Sequence, residues 1–141
     1  MRTLLLLLPI LLMFTACDKE PGEGGRAEIH GRVMAQNLVQ SNGLAIGDPY
    51  PMPEHRVYII YGDGEFHNDD VRTGSDGRFS FSGLRKGNYT IYTISQKRRV
   101  DGDPDQSGIT TVSRTITISE RDEVVELGDL KIERWRGWMN N

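Results

Sequence analysis

Apolar and polar residues alternate along most of this chain, in short runs punctuated by glycine, proline and aspartate. Alternation with period two sends successive side chains to opposite faces, so each run predicts a half-buried strand. AEIHGRVMA opens the series, with Ile29, Gly31 and Val33 on one face and His30, Arg32 and Met34 on the other; a strand is expected over 28–34. HRVYIIY, 55–61, is dense in β-branched and aromatic residues and predicts a second, central strand. A short strand is expected at 69–74. RFSF sets Phe79 and Phe81 against Ser80 and Ser82, and NYTIYTISQ spans 88–96. GITTVSRTITIS, 108–119, keeps Val112, Arg114, Ile116 and Ile118 on one parity, and VVEL with DLKIE gives one or two closing strands. About seven strands, turns roughly every 8–12 residues and no amphipathic helix predict an all-β fold, a single antiparallel Ig-like sandwich.

Three segments lack the period. DKEPGEGGR, 18–26, is polar and glycine-rich and reads as a tether, so 17–27 is expected to be flexible. Residues 35–54 hold Gly43, Gly47, Pro49, Pro51 and Pro53 and read as one long loop. Binding residues favour loops on a rigid scaffold, which makes Tyr50, Met52 and Pro53 the candidate partner contacts, with the loop 97–107 next. The tail 134–141 carries Trp135, expected to pack on the sandwich edge, and Trp138, expected to fray. It is either a sticky end without a role or a docking patch.

The amino terminus changes the picture. One arginine, then LLLLLPILLMF over 4–14, then small residues before Cys17 is the layout of a secretory signal. The run is too short to span a bilayer, which needs ~20 apolar residues. Phe14-Thr15-Ala16-Cys17 resembles the lipobox of bacterial lipoproteins, with Phe14 where an aliphatic residue is usual. The resemblance implies that 1–16 is removed and that Cys17 is acylated, palmitate included, anchoring the chain to a membrane. A general secretory signal with an incidental cysteine is the other reading. Asp18-Lys19-Glu20 resembles the surface-export signal of Bacteroidetes lipoproteins; an enterobacterial inner-membrane retention signal is the alternative. The expected location is the cell envelope, at the outer membrane, periplasmic or surface-exposed.

Composition bounds the chemistry. With 141 residues and a net charge of -3, one domain is expected and no basic face for nucleic acid. Cys17 is the only cysteine, which rules out an intrachain disulfide or a Cys-based zinc site.

VRTGSDGRFSFSGLRKGNYTIYT, 71–93, is the most telling stretch. Asp76-Gly77 suits a tight turn, Phe79 and Phe81 point to the core, Leu84 drops between the sheets, Gly87 supplies an unusual backbone conformation, and Tyr89 and Ile91 resume the alternation. Together with Thr73, and with Gly31 in the first strand, this resembles the carboxypeptidase regulatory-like domain, a transthyretin-like (prealbumin-like) sandwich, over 28–133. The resemblance implies a mostly non-catalytic module: a stalk, an adhesin unit, a support beside an enzyme or part of a transporter. The segment 35–54 is longer than the family's usual link between its first two strands.

Candidate chemistry is sparse. His30, His55 and His67 show no metal-binding spacing, although His30 and His55 fall in neighbouring strands. Asp101, Asp103 and Asp105 resemble the start of a calcium loop, but Gln106 replaces the turning glycine and Val112 the final acid. Calcium is the one cofactor considered; the alternative is a solvated loop. Asp63, Asp69 and Asp70 with Asn68 form a weaker acidic cluster. No G-x-S-x-G elbow occurs, and the turn glycines precede no helix that would cradle phosphate, so an enzyme is not expected. The leading expectation is a lipid-anchored, non-catalytic envelope module that binds a protein partner or supports a membrane complex. The alternative is a carbohydrate-binding or adhesive surface lipoprotein, using exposed aromatics among Tyr50, Tyr58, Tyr61, Tyr92 and Trp138.

Overall fold

The computed structural model describes residues 19–137, and these contain strands and turns but no helix. The expected signal peptide, the Cys17 anchor and Trp138 lie outside them. Eight strands run in chain order: β1 (Glu23–Val39), β2 (Ala45–Pro51), β3 (Arg56–Tyr61), β4 (Asp69–Arg72), β5 (Arg78–Leu84), β6 (Gly87–Gln96), β7 (Ile109–Ile118) and β8 (Val124–Arg136). One sheet has β1 at its centre, with β5 and β2 along one side and β8 along the other; the second has the order β4-β3-β6-β7.

The alternation is met where it was clearest. Ile29, Val33, Phe79, Phe81 and Leu84 from the first sheet bury against Val57, Ile59, Tyr89 and Ile91 from the second. Burying each such side chain stabilises the fold by about 1.5–3 kcal/mol relative to exposure. Gly77 takes φ 75 in the turn before β5, as Asp76-Gly77 suggested, and the Asp76 carboxylate accepts the Arg78 N–H.

Three expectations need correction. The sandwich has eight strands, because 35–54 is not one loop: β1 runs on to Val39, turns at 40–44 and pairs antiparallel with β2. Pro49 and Pro51 hid this strand, yet β2 is an edge strand, where proline is tolerated because one row of N–H groups faces no neighbour. The sheets are not wholly antiparallel, since β8 runs parallel to β1 from Glu28↔Val124 to Val39↔Arg136. VVEL and DLKIE form one strand, the first of the two outcomes expected for them, bulged at Gly128 with φ 79. The tether ends early: β1 starts at Glu23, and the Gly22 N–H donates to the buried Tyr89 hydroxyl at 2.8 Å. The glycines at 24 and 25 permit close approach to β5, where Glu23 and Ala27 both face Leu84 across a bulge.

This topology gives the sandwich two distinct ends. The chain enters at one, with Gly22, the β5–β6 connection and the end of β7. The other end gathers the 40–44 turn, the 97–108 loop and the end of β8. β6 has 10 residues, which at ~3.3 Å per residue separates the ends by roughly 30 Å.

Candidate functional site at the distal end

Trp135 and Arg98 organise the end farthest from chain entry. Trp135 closes β8, held by its backbone N–H to the Gln96 side-chain oxygen at 2.6 Å and by its indole N–H to Glu133 at 3.0 Å. The Arg98 guanidinium lies 5.9 Å from the Trp135 ring centroid, within cation–π range. Arg98 also donates to the carbonyls of Gln40 at 3.1 Å and Ser41 at 2.6 Å, and the Gln40 amide donates back to the Arg99 carbonyl at 2.9 Å. Two segments singled out from the sequence, the part of 35–54 that forms the 40–44 turn and the 97–107 loop, are thus tied to each other and to β8.

The surface here is unusually apolar. Among the described residues, four of the six exposed large hydrophobics sit at this end: Leu44 (63 % exposed), Ile46, Val100 (55 %) and Ile109 (51 %). Beside Trp135 a cleft of about 440 Å³ is lined by Gln96, Arg99, Ile109, Arg134, Trp135 and Arg136, among others. Arg134 and Arg136 continue the inward parity of Leu130 and Ile132, putting cations where the pattern would otherwise place core residues. The Arg134 guanidinium reaches the Met52 sulfur at 3.6 Å, and Arg136 donates to the Asn37 side-chain oxygen at 3.2 Å.

The predicted contacts Tyr50, Met52 and Pro53 do not form this surface. Tyr50 and Met52 pack against the core, Tyr50 giving its hydroxyl to Asn37 at 3.3 Å and Met52 its N–H to the Val33 carbonyl at 2.9 Å. Pro53 is exposed in the turn after β2. The apolar character of Tyr50 and Met52 serves the core, at the end of β2 and just after it.

Two aspartates of the calcium reading hold a lysine. Lys97 sits where a cation would, its ammonium 3.1 Å from Asp103 and 2.7 Å from Asp105. The same carboxylates accept the N–H groups of Asp105 and Ser107, at 2.8 and 3.0 Å, so they shape the turn. Lys97 and Ser107 hold the Asp105 carboxyl far below the usual carboxylate range. Asp101 instead lines a shallow groove with Gln40, Arg98, Arg99 and Val100. Among the described residues no group of three or more His, Cys, Asp or Glu is placed to hold a metal.

The histidines are separate. His30 contacts Glu28 at 2.7 Å on the outer face of the first sheet. His55 donates its Nε2–H to the Ile94 carbonyl at 3.1 Å, which fixes its tautomer. Burial pulls the His55 imidazole below its ordinary value; the Ile94 bond opposes this and nearby Arg134 assists it. A lowered folded value means that the unfolded chain takes up the proton first, so this contribution to stability is lost as pH falls below the ordinary 6.5. The unfolding temperature is therefore expected to drop between about pH 7 and pH 5.5, and to drop less in His55→Gln, as thermal melts would show.

Of the aromatics considered for sugar binding, Tyr58 and Tyr92 share the outer face of the second sheet. They are cross-strand partners, stacked at 4.9 Å with rings 14° apart. His67 packs edge-on against Tyr58 at 4.9 Å and contacts the Tyr92 hydroxyl at 3.4 Å. Tyr61 instead meets Tyr89 edge-on at 5.7 Å.

No family model matches the chain, and no curated protein matches it. Three solved structures have a similar layout. A Pseudomonas aeruginosa protein, given provisionally as carbohydrate-binding, is 14 % identical over 80 % of this chain and 91 % of its own, with a TM-score of 0.47. An (S)-allantoin synthase is 16 % identical over 78 % of this chain and 43 % of its own, at 0.41. A 9R-lipoxygenase from Cyanothece is 13 % identical over 84 % of this chain and 18 % of its own, at 0.38. At these scores none assigns a family or an activity to this chain.

Proposed function

We propose that this protein is a non-catalytic, lipid-anchored envelope module of the carboxypeptidase regulatory-like type. Acylated Cys17 would hold it to the outer membrane, and its distal end would dock a protein partner. The observation that carries this reading is the distal end itself. Trp135, Arg98 and exposed Leu44, Val100 and Ile109 combine the residue types that dominate binding energy at interfaces with an apolar surround. That end lies opposite the point where the anchored segment enters, so it would face away from the membrane.

The test is affinity purification of the full, lipidated chain from crosslinked cells. Trp135→Ala combined with Val100→Asp is expected to lose any stoichiometric envelope partner by at least about tenfold while remaining folded, as its circular dichroism spectrum would show. Retention of the partner by that variant would contradict the reading.

A second reading, glycan binding, rests on Tyr58 and Tyr92. Their stacked pair is flanked by His67 and by a hydroxyl row that includes Thr90 and Thr115, 3.3 Å apart. Binding to a polysaccharide panel that disappears in Tyr92→Ala, with the distal variant unaffected, would favour it.

A further inference from the structure

We propose that the cleft beside Trp135 takes an acidic peptide segment of the protein partner, its carboxylates meeting the arginines and an aliphatic side chain meeting Trp135 and Ile109. This rests on the protein-docking reading above and names the chemistry of the partner.

Charge complementarity carries the argument. Arg99, Arg134 and Arg136 line the cleft, and no aspartate or glutamate lines it. The chain as a whole is acidic, with a net charge of -3, so a cleft whose charged lining residues are all cations does not follow from composition. Some cations elsewhere meet carboxylates, Arg26 with Asp122 at 2.6 Å, Arg32 with Asp129 at 2.9 Å, Arg56 with Asp70 at 3.4 Å and Lys97 with Asp103 and Asp105, while others such as Arg72 and Arg114 donate to backbone carbonyls. The contacts of Arg134 and Arg136 are instead with a thioether and a side-chain amide, which leave their charge uncompensated. Of the nearby carboxylates, Asp103 and Asp105 are engaged by Lys97, Glu133 accepts the indole N–H, and Asp101 lies in the neighbouring groove beside Arg98 and Arg99.

The shape suits a peptide. About 440 Å³ falls within the usual range of ligand pockets, and Ile109 and Trp135 give it an apolar wall. Guanidinium groups bind carboxylates through two parallel hydrogen bonds, which confers orientation as well as strength. The cleft also lies where β7 and β8, the terminal strands of the two sheets, come together; the β8 N–H groups of Glu133 and Trp135 are already taken by Ser95 and Gln96, so recognition there falls to side chains. A sugar ring would need an open aromatic face, and one face of Trp135 is covered by Arg98.

The test uses the full chain in detergent carrying Trp138→Phe, so that Trp135 is the only tryptophan, with poly-L-glutamate as the probe and polygalacturonate as the comparison. Poly-L-glutamate is expected to change Trp135 fluorescence at low salt. Affinity should fall about tenfold or more in Arg134→Gln/Arg136→Gln, and fall with added salt. Arg136 is exposed, so Arg136→Gln alone should fold normally and show part of the loss. No response at low salt, an unchanged response in the arginine variants, or equal response to polygalacturonate would each overturn the proposal. If poly-L-glutamate fails while Trp135→Ala/Val100→Asp still loses its cellular partner, only this inference falls. If the variant keeps its partner, the docking reading falls as well.

Discussion

Replacing Gly25 by alanine is expected to destabilise the domain by about 3 kcal/mol or more, because overpacking against backbone has no cheap relaxation. A Cβ at this position would stand 1.8 Å from the Leu84 carbonyl oxygen and 2.5 Å from the Arg85 nitrogen. Neither atom can move without breaking the β1–β5 bulge that seats the start of β1. At a typical ~4–8 °C per kcal/mol, the melting temperature should fall by roughly 12–24 °C. Gly47→Ala is the control: its φ is 67 and its Cβ would meet nothing within 4 Å. There only backbone strain acts, at about 1–2 kcal/mol. A Gly25→Ala melt no lower than that of Gly47→Ala would show that β1 does not approach β5 as described.

Tyr89→Ala should cost a comparable ~3–5 kcal/mol, the range for deleting a large aromatic from a packed core. Tyr89 is fully buried and meets Tyr61 edge-on. Its hydroxyl accepts the Gly22 N–H at 2.8 Å and donates to the Arg85 carbonyl at 2.8 Å, pinning chain entry to the β5–β6 connection. Tyr89→Phe separates the two effects. It keeps the ring and leaves the Gly22 N–H without its hydroxyl acceptor, which should cost about 1–3 kcal/mol. Denaturant melts of the three proteins measure both, and exchange at the Gly22 amide should quicken in Tyr89→Phe.

Much of the core was legible because alternation is a local signal. Phe79, Phe81, Leu84, Tyr89 and Ile91 could be assigned inward from their spacing alone, and all are buried. The glycines of 22–25 misled because glycine serves both flexible tethers and close backbone approach, and only the partner strand distinguishes the two. The prolines of β2 misled because edge position is a property of the sheet. The parallel pairing of β1 with β8 joins residues nearly a hundred positions apart, and no local pattern announces it.

The distal site was half legible. The two loops were singled out, and Trp135 was placed on the edge. Arg134 and Arg136 carried an unused signal, cations at the inward parity of the closing strand. Their sharing a cleft with Arg99 depends on β8 ending beside the exit of β6, where Ser95 and Gln96 accept the N–H groups of Glu133 and Trp135. The Asp101, Asp103 and Asp105 spacing pointed to calcium, but spacing alone does not reveal that Lys97 folds back between two of them.

The most direct test places a photo-crosslinking residue, one position at a time, in the full lipidated chain in intact cells. Val100 and Ile109 sample the distal end, and Thr115 and Ser80 sample the outer faces of the two sheets. The account predicts one discrete protein adduct from Val100 and Ile109 and none from Thr115 or Ser80. Adducts from Thr115 or Ser80 alone would contradict it and move the interface to a sheet face.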